Sequence, residues 1–182
     1  EVKSTHTTPD AIKLNMLLSE MVDEGCKYCF MEVSSHAIDQ NRIIGVSFAG
    51  AIFTNLSHDH LDYHKTFNDY IKTKKKLFDE LPEDAFALIN ADDKHGVTML
   101  ENTKATKNRY SLKTLSEFKL KIIENRFSGL QVNINKHDLW TKLIGEFNAY
   151  NLLATYATAI LLNQEEIDVL TTVSYTHLTL PT

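Results

Sequence analysis

Three polar stretches carry side chains whose types and spacing could do chemistry. Met31-Glu32-Val33-Ser34-Ser35-His36 sets a carboxylate near the end of an otherwise apolar run. Buried there, it would cost several kcal/mol unless a cation or hydrogen bonds compensated it. A second stretch gathers His58, His60 and His64 with Asp59 and Asp62 inside seven residues. Such a loop could hold zinc or iron, for which imidazole is a common ligand. It lacks the HExxH arrangement, however, and beside a Glu-ended strand it equally suits a hard cation whose shell is completed by phosphates. Taken singly, each histidine could also be a plain surface residue. The third stretch is Ile89-Asn90-Ala91-Asp92-Asp93.

Lys74 is the most informative single residue. Phe67, Tyr70, Ile71, Lys74, Leu77 and Phe78 share one face of a 3.6-residue helix, which puts an ammonium in the middle of an apolar stripe. Lys72 and Lys76 fall on the opposite face, toward water. Either Lys74 snorkels past the stripe, or it points into the cavity of Glu32 and His60, where it meets phosphates or is covalently altered. Cys26 and Cys29 form one CxxC. A redox pair would sit where a strand turns into a helix N-terminus, and a zinc site would need a second pair. The cysteines read instead as small buried hydrophobes.

These residues need strands that end side by side. Thr8-Pro9-Asp10 reads as a helix start with Thr8 as cap, followed by Leu14, Leu17, Leu18, Met21 and Val22 at helical spacing and Gly25 as the stop. Strands are expected over 28–33, 49–55 and 85–90, and helices over 67–81, opened by Thr66, and 93–102. This alternation predicts an α/β fold, a mainly parallel sheet with helices on both faces. In an open sheet of that kind, ligands sit outside the carboxyl ends of the strands. Between 104 and 143, short alternating runs suggest a small antiparallel meander in which Trp140 packs. Helices are expected again from 147 to 162 and from 164 to 173. Residues 174–182 fit neither period and read as a non-native tail, leaving 1–173 as one domain.

Composition narrows the function classes. A 43% apolar and 24% charged chain of 182 residues is ordinary globular material, neither disordered nor collagenous. The net charge of −5 offers no basic surface to nucleic acid. With no apolar run near the roughly 18 residues of a membrane span and no signal peptide, the expectation is a soluble, cytoplasmic protein. The start at Glu1, inside a polar stretch, and a count of 6 Gly suggest a fragment.

MEVSSHAIDQNR, AIFTNLSHDHLDYH followed by YxxxK, INADD and LIGEFNAYNLLA, in this order, resemble the Mur ligase family over about residues 5–173. The resemblance is nearest to members that add the third residue to the peptidoglycan peptide. It implies an ATP-dependent amide ligase in which the γ-phosphate passes to a substrate carboxylate and an amino group attacks the resulting acyl phosphate. It further implies that Glu32 and His60 are magnesium ligands and that Lys74 is carried as a carbamate, so that Lys74 and His60 serve catalysis. Thr7, Thr8, Ser34, Gln40 and Arg42 match positions that hold the UDP-muramoyl dipeptide, whose partner is an amino acid, diaminopimelate or lysine. Asn90 and Asn148 match positions near the nucleotide. The family's Gly-Lys-Thr phosphate loop is absent, as are its amino- and carboxyl-terminal domains, which predicts an inactive fragment of an active enzyme. His6 stands where relatives often carry Asn. Cyanophycin or folylpolyglutamate synthetases are the near alternatives. A hydrolase built on His58, His60 and His64, or a non-catalytic binding module, lies outside the class.

Overall fold

The computed structural model describes residues 7–56 and 63–174. Its sheet contains β1 (Gly50–Phe53), β2 (Phe86–Asn90), β3 (Thr106–Ser111), β4 (Phe118–Arg126), β5 (Gly129–Ile134) and β6 (His137–Thr141), in that spatial order. The first four run parallel and the last three antiparallel. The expected fold class is therefore present, with one correction. β3 belongs to the parallel ladder and not to the meander, because Phe86–Asn90 pairs with it along its length. Polar residues such as Lys107 and Arg109 masked it as a buried strand.

Every residue of β2 is buried, since both of its faces are covered. Ala87 and Ile89 join a core with α3 (Phe67–Asp79) and α4 (Gly96–Met99). Phe86 and Leu88 join the other core, with α5 (Glu146–Leu161) and α6 (Glu166–Ser174). Burial of these apolar side chains, about 1.5–3 kcal/mol each, is the main force holding the layers together. α6 takes in Ser174, the first residue of the expected tail, and 175–182 lie outside the described residues.

Four other expectations are corrected. α1 (Ala11–Asp23) is capped by Asp10, whose side chain accepts from the Lys13 N–H, and not by Thr8. Thr8 is diverted because its hydroxyl donates to the Glu32 carbonyl at 2.8 Å. Residues 28–33 form no strand and, among the described residues, pair with no strand of the sheet; a cavity stands between them and β1. For the same reason Cys26 and Cys29 are exposed and not buried. Trp140 is 42% exposed, since it stands opposite Gln131 at the sheet's last strand, where no layer covers it. A short helix the sequence did not announce, α2 (Ser35–Asp39), follows the unpaired segment.

That segment leaves a gap beside β1. On one face, Cys29, Met31 and Val33 look across a cavity of about 240 Å³ at β1 and at Lys74, Leu77 and Phe78 of α3. On the other, Tyr28 and Phe30 face Ile52 and Thr54 across an apolar groove floored by Ala154, Thr155 and Thr158 of α5.

Candidate functional site at the carboxyl ends of the strands

α3 forms where the sequence placed it. Thr66 caps it by accepting from the Asp69 N–H, and Tyr70 and Phe78 are buried along the expected stripe. Lys72 and Lys76 are exposed, whereas Lys74 is half-buried and lines the same cavity as Met31, Val33, Thr54 and Asn55. Its ammonium sits 5.9 Å over the Tyr70 ring. Burial pushes the Lys74 pKa down from its ordinary value, and the Glu32 charge opposes part of that shift. Glu32 and Lys74 are thus brought to one place. His60, His58, Asp59 and Asp62 lie outside the described residues, as does His6.

The residues expected to hold the substrate also converge. Arg42 donates from Nη1 to the Thr8 carbonyl at 3.0 Å and from Nε to Gln40 Oε1 at 2.9 Å. Ser34 caps α2 by accepting from the Ala37 N–H at 3.2 Å. Thr7 is exposed beside buried Thr8. Arg42 Nη2 also donates to Gln40 Oε1, so all three guanidinium nitrogens are engaged within the chain and the side chain is held in one orientation.

Asn90 is buried and committed within the chain. Its amide donates to the Thr54 carbonyl at 2.9 Å and accepts from the Asp92 N–H at 3.0 Å, bracing the ends of β1 and β2. Asn148, in the first turn of α5, donates to the Ile144 carbonyl at 2.8 Å. Asp92 ties the two regions together by accepting from the N–H groups of Leu112, Lys113 and Thr114 and from the Tyr150 hydroxyl. Burial pushes its carboxyl up, but the Lys113 and Leu112 N–H groups with the Thr114 and Tyr150 hydroxyls outweigh it and hold the pKa below the ordinary value.

Sequence reasoning missed three things here. Asp92 is a hub, for which its place at a strand end was the available signal. Lys75 is buried and paired with Asp79 at 2.5 Å, a partner four residues on that the sequence displayed. His64, grouped above with possible metal ligands, is buried with Nε2 bonded to Ser35 Oγ at 2.8 Å.

Beside the end of β1 lie a half-buried lysine on α3 and, on the segment around α2, the Glu32 carboxylate and an internally bonded arginine. Comparisons with known proteins identify the family. The sequence pattern described as the Mur ligase middle domain matches residues 1–159. The chain is 58% identical over 169 residues, 93% of its length and 35% of the relative's, to the UDP-N-acetylmuramoyl-L-alanyl-D-glutamate--2,6-diaminopimelate ligase of Cytophaga hutchinsonii. It is 54% identical over 176 residues, 97% of its length and 36% of the relative's, to the protein of the same name from Bacteroides thetaiotaomicron. A solved structure of an enzyme with that name superposes with a TM-score of 0.86 at 26% identity, covering 100% of this chain and 39% of that one. The chain therefore spans about a third of the length of the curated relatives it matches.

Proposed function

We propose, from the premise that this chain belongs to the Mur ligase family, that it is the middle domain of an ATP-dependent ligase joining 2,6-diaminopimelate to UDP-N-acetylmuramoyl-L-alanyl-D-glutamate. The observation that carries the reading is the half-buried Lys74 lining a cavity beside the end of β1, inside a chain 58% identical to a ligase of that name. The amino acid that the sequence left open between diaminopimelate and lysine is taken from the relatives' names. The cytoplasm, where nucleotide-linked precursors and ATP are available, is the proposed location. Among the described residues, no helix is long and apolar enough to cross a membrane.

The donor set fits the implied groups. Carboxylate-type oxygens suit magnesium, a hard cation, and Glu32 is exposed in the segment beside β1 to supply one. A lysine whose ammonium is disfavoured by burial presents more neutral amine. That amine can attack carbon dioxide, lose one proton and become a carbamate, turning an uncompensated cation into an anion beside the metal. Lys74 in that form, Glu32 and His60 would hold the ion, which supplies charge stabilisation to the transferring phosphoryl group. Thr7, Thr8, Ser34, Gln40 and Arg42 would grip the UDP-muramoyl dipeptide and orient its carboxylate. Asn148 would approach the nucleotide at the head of α5, and Asn90 would hold the rim on which it rests. The hydrolase alternative is not favoured, since His64 Nε2 is already engaged by Ser35.

The test is phosphate release from ATP by a chain of the relatives' full length. Release is expected only when UDP-N-acetylmuramoyl-L-alanyl-D-glutamate and diaminopimelate are both present. Turnover without either one, or with lysine in preference, would overturn the proposal.

A further inference from the structure

Beside the proposed site stands a cluster that none of the roles above uses. His64 is 5% exposed, and its Nε2 lies 2.8 Å from Ser35 Oγ, itself 0% exposed. The imidazole stacks on Tyr70 with ring centres 5.2 Å apart and planes 26° from parallel. Tyr63 meets its edge at 5.0 Å, and the same Tyr63 ring packs on His36 at 4.0 Å. The Tyr63 hydroxyl donates to Asp39 Oδ2 at 2.8 Å and accepts from Gln40 Nε2 at 3.4 Å.

Two lines of contact therefore meet at one ring. One runs through Ser35 to Ser34, the cap of α2, and through Tyr63 to Gln40, which holds the Arg42 guanidinium. The other runs through Tyr70, whose ring lies under the Lys74 ammonium. α2 is only five residues long and follows a segment with no sheet pairing, and it packs on α3 through buried Ser35, Ala37 and Ile38, so the Ser35–His64 bond is the polar link within that packing. A planar ring with a polar edge can do both jobs at once. Its face packs on an aromatic ring while its nitrogen satisfies a hydroxyl buried away from water.

We infer that His64 is a positioning residue. It orients the α2 arm that carries Ser34, Gln40 and Arg42 against α3, so that the grip on the UDP-linked substrate and the lysine at the strand ends stand in register. It touches neither substrate nor nucleotide. The inference rests on the ligase reading above, and it adds a determinant of affinity for the muramoyl substrate alone.

The experiment uses the full-length ligase and measures KM for each of its three substrates, with calorimetric binding of UDP-N-acetylmuramoyl-L-alanyl-D-glutamate as a readout independent of turnover. His64→Leu keeps an apolar side chain and removes the hydrogen bond. It should raise KM and Kd for the muramoyl dipeptide about tenfold, through the misplaced α2 arm, with KM for ATP changed less than about twofold. Ser35→Ala removes a single oxygen and should reproduce that loss. The double variant should be no worse than His64→Leu, because both remove the same bond. His64→Gln, which can place a nitrogen near Ser35 Oγ, should stay within about threefold of the parent.

Equal losses in the Gln and Leu variants would reduce the effect to packing and overturn the inference. So would parallel increases in KM for every substrate, or additive effects in the double variant. If His64→Leu does not fold, Ser35→Ala decides alone, and unchanged affinity there overturns it. A parent that neither binds the muramoyl dipeptide nor turns over overturns the ligase reading and this inference together. A parent that does both while the variants match it overturns this inference only.

Discussion

Lys74 and Lys72 stand two residues apart on one helix and are predicted to behave oppositely. Lys74→Ala in the full-length ligase should lose most of its activity and regain part of it when acetate supplies a carboxylate to the vacated space. Lys72→Ala should match the parent, because that side chain is exposed. Full activity in the Lys74 variant would mean that its ammonium merely snorkels. Asp92 carries a prediction about stability. Its folded pKa is held below the ordinary value, so the stability it contributes is present above the unfolded pKa and is lost as pH falls through the folded one. Asp92→Ala should lower unfolding free energy by about 2 kcal/mol near neutrality, the scale of hydrogen bonds to a charged group. Urea titrations should show the gap from the parent closing as pH drops below the carboxylate range. A gap that persists in acid would assign the loss to packing.

Among the elements, α3 was legible in its start and its stripe, because Thr66, the apolar residues and exposed Lys72 and Lys76 agree on one register, although it ends at Asp79 and also buries Thr73 and Lys75. The β4–β5–β6 meander was legible from its alternation. The strand expected over 28–33 was not a strand, because a run of strand-forming residues favours an extended backbone while pairing depends on a neighbour. Thr8 failed as a cap for a related reason. Two hydroxyl or carboxylate candidates, Thr8 and Asp10, stood within reach of the same N-terminus, and a contact 24 residues away in sequence took one of them. Asp10→Ala should therefore cost about 1 kcal/mol of stability through the lost cap, whereas Thr8→Ser should be nearly neutral because it preserves the hydroxyl. Circular dichroism melts of both variants check this, and the reverse order would restore Thr8 as the cap. The turn after β2 adds a steric prediction. A Cβ at Gly96 would stand 2.3 Å from the Asn90 carbonyl oxygen, so Gly96→Ala should disturb the rim that Asn90 braces and lower stability by at least 1 kcal/mol.

For the molecule as a whole, the half-burial of Lys74 could be read from residue types and periodicity, and the convergence of Thr8, Gln40 and Arg42 came only through the family resemblance. The His64 cluster could not be read, because it depends on how α2 and α3 pack, which no local pattern encodes. The gap beside β1 has a further consequence, for the chain's colloidal behaviour. β1 shows one row of unpaired backbone donors and acceptors among the described residues. Its own Ile52 is 39% exposed, and Tyr28 at 52% and Phe30 at 70% lie across the groove from it. A bare strand edge lined with aromatic side chains templates further strands, and a net charge of −5 spread over 182 residues opposes that only weakly. Prepared by itself, this chain should self-associate as its concentration rises. Light scattering should show the effect weakening when Ile52→Lys places a cation on that edge, so the boundary at which such a segment is cut governs whether it stays in solution.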